Sequence, residues 1–245
     1  MEYRDKVVVV TGGATGIGRA ICRKLAEQGA KVILNYAHSE AEAEETRQLI
    51  RESGGEVTLI RADVADDAAA REMIRIASAL YGGIDALVNN AGITRQLELS
   101  DLEGATEEMW DSLWSVNVKG AFYCARAAAP ALRERRGAIL QMGSIAGITG
   151  SGSSLPYAVT KAALHGLTKS LARALAPEIR VNALAPAAVA TRWWQGEEEK
   201  MRRLSGSLPL GRISTPEDIA ELALAVLAQE SLTGQIISPN NGMVI

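Results

Sequence analysis

The sequence predicts an α/β domain in which a doubly wound, seven-stranded parallel sheet carries helices on both faces. Three observations point there. Short β-branched runs alternate with longer segments of helical period, the pattern of successive βαβ units. The runs are apolar throughout rather than alternating, as in strands covered on both sides. A glycine-rich turn joins the first run to the first helical segment.

The elements follow in order. Residues 7–10, four consecutive valines, form the first strand, because β-branched side chains are stiff at χ1 and pack well on a pleated surface. A helix over 19–28 is closed by Gly29, and after a strand at 32–34 a helix over 40–53 is closed by Gly54. A strand at 57–60, a helix over 68–81 and a strand at 87–89 complete the first half. One long helix over 107–135 leads to a strand at 138–142, and a helix over 157–176 behind Pro156 leads to a strand at 181–184. Thr215 caps a helix over 216–227, with Pro216 at its first position and Glu217 and Asp218 at the positive end of its dipole. A strand at 235–237 ends the sheet.

Residues 192–213 fit neither element and read as a mobile excursion of the kind that covers a site. Trp193, Trp194, Met201, Leu204 and Leu208 are its apolar candidates for facing a substrate, with burial of the excursion or packing between subunits as the alternative. Beside Gln195 and Gly196, Glu197, Glu198 and Glu199 read as a solvated face.

With 245 residues, 47% apolar and 22% charged, and with 23 glycines and 7 prolines, the chain is long enough for one full core, which excludes disordered, collagen-like and disulfide-stapled classes. A net charge of −3 lacks the positive footprint of a nucleic-acid binder, so a small-molecule partner is expected. Cys22 and Cys124 fall in helical segments without metal or redox spacing and are expected to be buried and reduced. No signal-peptide pattern occurs and no stretch approaches the ~18 apolar residues of a membrane span, so a cytoplasmic protein without membrane contact is expected.

Two motifs carry chemistry. Thr11-Gly12-Gly13-Ala14-Thr15-Gly16-Ile17-Gly18 lies between a strand and a helix, where glycines let backbone approach a pyrophosphate and free helix amides favour its charge; a plain βα connection is the alternative. Tyr157 and Lys161 are four apart on one helix face, so an ammonium stands beside a phenol and favours its phenolate, drawing a pKa of about 10 toward neutrality. A surface Tyr lying along a Lys stem is the alternative for that pair. Gly143-Ser144-Ile145-Ala146-Gly147 has the wrong spacing for a hydrolase nucleophile elbow, and His165, four residues past Lys161, reads as a packing or surface residue.

The TGxxxGIG turn, Asn89-Asn90-Ala91-Gly92, Asn117, Ser144, the Tyr157-x-x-x-Lys161 pair and residues 182–191 occur in the order seen in the short-chain dehydrogenase/reductase family, which the chain resembles over nearly its whole length. That resemblance implies a Rossmann-type fold and metal-free hydride transfer between a nicotinamide cofactor and a ketone or secondary alcohol. It implies that Tyr157 exchanges a proton with the substrate oxygen, that Ser144 hydrogen-bonds that oxygen, and that Lys161 tunes Tyr157 and holds the nicotinamide ribose. Asn117 is expected to kink its helix and hold a water linking Lys161 to solvent. Read from the residues alone, Ser144 caps a turn and Asn117 is a buried amide, but the end of a parallel strand is where ligands bind in open sheets.

The same resemblance places Gly12, Thr15, Gly16, Ile17, Gly18, Asn90, Ala91, Gly92, Val189 and Thr191 at the cofactor, with Asp63 and Val64 at its adenine; Asp63 as a cap for the following helix is the alternative. Tyr36 stands where NAD-preferring relatives carry Asp, and Ser39 with nearby amides suits a phosphate, whereas Thr15 replaces a basic residue common in NADP enzymes and Glu40 is close. The balance favours NADP(H) over NAD(H). Ala187 replaces a family glycine, a change that matters if the position needs a positive φ, and Pro239-Asn240-Asn241-Gly242 stands where relatives carry an N/D-G-G turn, where Asn can take the left-handed conformation that Gly otherwise supplies.

The sequence is most like the 3-oxoacyl-acyl-carrier-protein reductase branch, and Arg133, Arg135 and Arg136 resemble the basic cluster on which that branch docks its carrier near the active-site mouth. Ala176-Pro177-Glu178 departs from the branch's second basic position. A sugar, polyol or other small-alcohol dehydrogenase is the alternative within the family, and a non-catalytic nucleotide sensor the alternative outside it. The resemblance implies a homotetramer packed through the 107–135 and 157–176 helices.

Overall fold

The computed structural model describes all residues except Met1, Gln195 and Glu197, and only the backbone of Trp194, Glu198 and Lys200. The expectations placed on Gln195, Glu197 and the side chains of Trp194 and Glu198 therefore lie outside the described residues.

Seven strands, β1 (Val7–Val10), β2 (Lys31–Tyr36), β3 (Glu56–Arg61), β4 (Ala86–Asn89), β5 (Ala138–Met142), β6 (Arg180–Leu184) and β7 (Ile236–Ile237), form one sheet in the order β3-β2-β1-β4-β5-β6-β7. Every pairing is parallel, with Val9 opposite both Ile33 and Leu87. Alternation along β1 sends Val8 and Val10 to one face and Val7 and Val9 to the other. The first face is covered by α1 (Gly16–Glu27), α2 (Glu40–Glu52) and α9 (Pro216–Ala228) through Ile21, Leu25, Ile50 and Leu224. The second is covered by α3 (Asp67–Tyr81), α5 (Ala121–Arg135) and α7 (Leu155–Leu175) through Met73, Cys124, Leu132 and Leu171. This is the expected doubly wound, Rossmann-type architecture, and both cysteines are buried thiols. Full cover on both faces holds for the central strands but fails at the edges: β3 exposes Glu56 and Arg61, and β7 is only half buried. No helix among the described residues is long and apolar enough to cross a membrane.

Three departures from the expected elements bear on the site. The 107–135 segment is not one helix: α4 (Glu107–Trp114) passes through a π-helical turn, Ser115–Gly120, into α5. Such single-turn π segments concentrate at functional sites. A short helix, α6 (Ala146–Thr149), follows Ser144 and ends at Gly150 in the left-handed conformation, φ 73°. The 192–213 stretch is partly regular, with a 3-10 turn at Arg192–Trp194 and α8 at Glu198–Ser207, where Glu199 pairs with Arg202 and Arg203 at helical spacing. α9 opens with the expected cap, Thr215 and Asp218 bonding each other's backbone amides.

Candidate active site

Strand order reverses between β1 and β4, and ligands of open α/β sheets bind outside the carboxyl ends of strands at such a switch point. The glycine turn and the loop after β4 meet there. Thr11 Oγ1 accepts from the amides of Asn90 and Ala91 at 3.0 Å each, and Asn90 Nδ2 donates to the carbonyls of Thr11 and Gly12 at 3.0 Å each. Gly12 is left-handed, φ 62°, and a Cβ there would stand 2.9 Å from Ala91 Cα. At Gly18 a Cβ would come within 2.3 Å of the Gly12 carbonyl oxygen, so α1 begins as close to the turn as backbone allows. Thr15, the cap residue of α1, makes no side-chain bond, and no described residue accepts from the amides of Ile17 and Gly18. Free amides and the positive dipole end facing a glycine-lined crevice fit the pyrophosphate of a dinucleotide.

Thr191 crosses this turn, its methyl 3.4 Å from where a Gly16 Cβ would be, and Val189 is held by a bridge to Ser214. Ala187 is not left-handed and donates its amide to the Pro239 carbonyl at 3.2 Å, so the missing glycine costs nothing; Asn241 does adopt a positive φ, 54°. At the end of β2 the Tyr36 ring turns into the core, Ser39 caps α2 without a side-chain bond, and Glu40 is exposed. Asp63 closes an Asx turn on the Ala65 amide, and the cap of α3 is Asp66 rather than Asp63. Val64 is buried against Gly120 of the π-helical turn.

Beyond the crevice, β5 ends at Met142 and delivers Ser144, whose Oγ accepts from the Ala146 amide at 3.2 Å. Ser154 caps α7 by accepting from the Tyr157 amide at 3.3 Å, which fixes the first turn of α7 and places Tyr157 and Lys161 on its inward face. Both are buried. Lys161 Nζ donates to the Met142 carbonyl at 2.8 Å and stands 5.7 Å from the Tyr157 ring centre. Asn117 occupies the π-helical turn. Its Oδ1 accepts from Ile93 N at 2.9 Å, and its Nδ2 donates to Ile93 O at 3.0 Å and Thr160 Oγ1 at 3.1 Å. Both carboxamide hydrogens are thus spent clamping the loop after β4 to α7. Asn117→Leu is expected to leave the Ile93 amide and carbonyl unpaired and to lower stability by about 2–4 kcal/mol in urea denaturation.

The electrostatics differ from the expectation for Tyr157. Burial pushes its phenol up to about 12, with the neighbouring Ser144 hydroxyl acting the other way, while burial draws the Lys161 ammonium down to about 8. Desolvation of the phenolate dominates, and Lys161, itself drawn down by burial, is not among the groups that shift the phenol. His165 is buried, its imidazole pushed down to about 4 by burial and then by Lys161 and Lys169.

The Trp193 indole stands edge-on to the Tyr157 ring, centroids 6.3 Å apart at 77°, and is half exposed. Ile148 of α6 is equally open, and the loop after β4 is closed by the Leu97 amide donating to Ser153 O at 2.8 Å and by a Thr94–Ser153 hydroxyl contact. The basic cluster lies elsewhere. Arg133, Arg135 and Arg136 precede β5, at the amino end of the strands and so at the opposite end of β5 from Ser144, because α5 runs down the sheet before β5 runs back up. Arg135 is committed to the Gly82 carbonyl at 2.8 Å, and Arg136 closes α5 with φ 50°. Within one chain this cluster is not at the site mouth. Sequence reasoning missed Asn35, whose Oδ1 accepts from Gly12 N at 3.3 Å while its Nδ2 donates to Ile60 and Ala62 carbonyls, and missed Thr160. A polar residue inside an apolar run was the available signal for Asn35.

Comparison with known proteins agrees with this geometry. The family described as enoyl-(acyl carrier protein) reductase matches residues 12–244. A 3-oxoacyl-[acyl-carrier-protein] reductase of Staphylococcus aureus is 39% identical over 244 residues, covering 97% of this chain and 98% of the relative. A polyketide synthase ketoacyl reductase of Streptomyces violaceoruber, assigned to granaticin, is 37% identical over 243 residues, covering 96% and 95%. Among solved structures, a short-chain dehydrogenase/reductase of Burkholderia xenovorans superposes with a TM-score of 0.93 at 36% identity, covering 98% of each chain. With the glycine crevice and the Tyr157–Lys161 pair in place, the chain belongs to the short-chain dehydrogenase/reductase family, enzymes that use NAD(P) to act on CH–OH groups.

Proposed function

We propose that the protein is an NADP(H)-dependent reductase of 3-oxoacyl thioesters or related β-ketoesters, with Tyr157, Ser144, Lys161 and Asn117 as its catalytic set. The observation that carries this reading is the convergence of the Tyr157 ring, Lys161 Nζ and the Ser144 loop beside a crevice whose helix amides are unspent. The bound nicotinamide supplies the hydride in reduction and accepts it in oxidation. The chain's part is to hold the substrate oxygen between the Tyr157 and Ser144 hydroxyls, where Tyr157 donates its proton and Ser144 stabilises developing charge. A phenol held near 12 remains protonated over the working range, which suits it as an acid. Asn117 acts by fixing the loop and α7 relative to each other.

For the cofactor, Gly12, Thr15, Gly16, Ile17 and Gly18 receive the pyrophosphate, Asp63 and Val64 the adenine, Asn90, Ala91 and Gly92 the floor of the crevice, and Val189 and Thr191 the nicotinamide end. NADP(H) is favoured because β2 ends in Tyr36 rather than an acid and Ser39 leaves its hydroxyl free of a capping bond. Thermal midpoints with NADPH and NADH test this: a larger rise with NADPH supports it, and a larger rise with NADH overturns the preference. The substrate reading rests on the apolar rim of Trp193 and Ile148, which suits an acyl chain better than a polyol. Turnover of β-ketoesters over sugars and polyols is the expected result of a substrate panel.

The excursion around α8 serves as a substrate lid in this reading. Trp193→Ala is expected to lower kcat/KM for ketoesters about 10-fold, through loss of an aromatic wall worth about 1–1.5 kcal/mol, with the NADPH-induced midpoint rise unchanged. The half-exposed Trp114, Phe122 and Val159 on α4, α5 and α7 supply apolar surface for a homotetramer, which sedimentation equilibrium would register. In reduction, kcat is expected to fall as pH rises through about 8, because Lys161 carries its charge below that value and loses it above.

A further inference from the structure

Beneath the catalytic face of α7, three inward side chains have polar atoms without a protein partner among the described residues. They are Asn89 Oδ1, both carboxamide atoms of Gln141, and His165 Nε2. All three residues are more than nine-tenths buried. They share one face of the sheet. Asn89 is opposite Gln141 in the β4–β5 register, Asn89 Nδ2 donates to the Ala121 carbonyl of α5 at 3.0 Å, and Ile139, two residues before Gln141, packs in the cluster under α5 and α7. Two residues beyond Gln141, on the same side, a Cβ at Gly143 would lie 2.5 Å from His165 Nε2. Gly143 is not left-handed, so the missing side chain serves the imidazole's space. His165 is one turn beyond Lys161, whose Nζ grips Met142.

Each buried polar atom left unpaired costs about 1–3 kcal/mol, so four in one place would consume much of a domain's stability. Buried polar spaces of this kind are satisfied by internal water with two to four protein partners. The geometry points to an internal water site, lined by Asn89, Gln141 and His165, that hydrates the protein directly below Lys161 and so helps keep its ammonium charged. Water shared among Asn89 Oδ1, the Gln141 carboxamide and His165 Nε2 would satisfy all four atoms. The titratable groups facing Lys161 are Tyr157 and His165, with Lys169 beyond them on α7; Asn117 and Ser144, on the elements packed against it, are uncharged. Burial is the one cause of the Lys161 shift, and no acidic side chain acts against it. The proposal rests on Lys161 being catalytic as proposed above, but the site itself does not.

The test has two parts. A crystal structure of the full chain at about 1.5 Å should show ordered water within hydrogen-bond distance, about 3 Å, of Gln141 and of His165 Nε2 in every copy. A dry cavity, or these side chains turned to pair directly with one another, overturns the site. In Gln141→Leu, chosen to remove both carboxamide atoms at similar volume, the alkaline limb of the kcat profile should move to lower pH by on the order of half a unit. A merely structural role would lower kcat equally at all pH. Water present in the wild type with an unmoved limb in a folded variant overturns the role at Lys161. If Gln141→Leu does not fold, His165→Leu gives the same reading. Loss of all activity in Tyr157→Phe but no ordered water would count against the site alone, whereas ordered water in an enzyme indifferent to Tyr157→Phe would count against the catalytic reading.

Discussion

Tyr157→Phe is expected to lower kcat by about 10²–10⁴-fold, the range for loss of a positioned general acid, with little change in NADPH affinity. The substitution removes one oxygen. The ring, its edge contact with Trp193 and the cap from Ser154 to the residue 157 amide all remain, so folding and cofactor binding are spared. Burial that holds the phenol near 12 also means that its deletion relieves a desolvated group rather than exposing one. Steady-state reduction of a β-ketoester with NADPH, beside the thermal midpoint rise, measures both halves. A variant that kept more than about a tenth of wild-type kcat would place the acid elsewhere, since general-acid loss seldom costs less than 10².

Gly18→Ala is expected to abolish the NADPH-induced midpoint rise and to lower the midpoint of the protein alone. A Cβ would stand 2.3 Å from the Gly12 carbonyl oxygen and 2.5 Å from Asn90 Nδ2, and the first of these is backbone that cannot turn aside. Gly18 lies in α1, where alanine is ordinarily favoured by about 1 kcal/mol, against an overpacking cost of about 1–3 kcal/mol or more. The steric effect wins and displaces the loop that receives the pyrophosphate. Gly166→Ala is the internal control. It is helical with nothing within 4 Å of its Cβ position, so it should stabilise by about 0.5–1 kcal/mol and leave cofactor binding intact.

The sheet was legible because its strands are short runs of β-branched residues with nowhere to go but a two-sided core, and the catalytic pair because helical spacing alone puts Tyr157 and Lys161 on one face. What escaped the sequence depends on contacts between distant segments. The π-helical turn at Ser115–Gly120 is set by Asn117 reaching Ile93, 24 residues earlier, and by Gly120 packing on Val64, neither of which leaves a mark on local periodicity. α8 is mostly charged, and its only apolar series, Met201 and Leu204 with Leu208 just past its end, is short; that series and the Glu199, Arg202 and Arg203 spacing were the available clues. The pairing of an ammonium with a phenol was readable, but the depth of burial that sets both pKa values was not. Arg133, Arg135 and Arg136 show the reverse failure: chain direction alone puts the end of α5 at the amino ends of the strands, away from the site, and resemblance to a basic cluster obscured it.

Hydride transfer to a ketone with Tyr157 as proton donor leaves a label in the product. Reduction of a 3-oxoacyl thioester with NADPH carrying deuterium at one face of nicotinamide C4, followed by mass analysis of the product, tests it most directly. Turnover is expected to place deuterium on the carbinol carbon from one labelled face only, at a rate lost in Tyr157→Phe. Cofactor binding without any labelled alcohol, or labelled alcohol formed equally well by Tyr157→Phe, would contradict it.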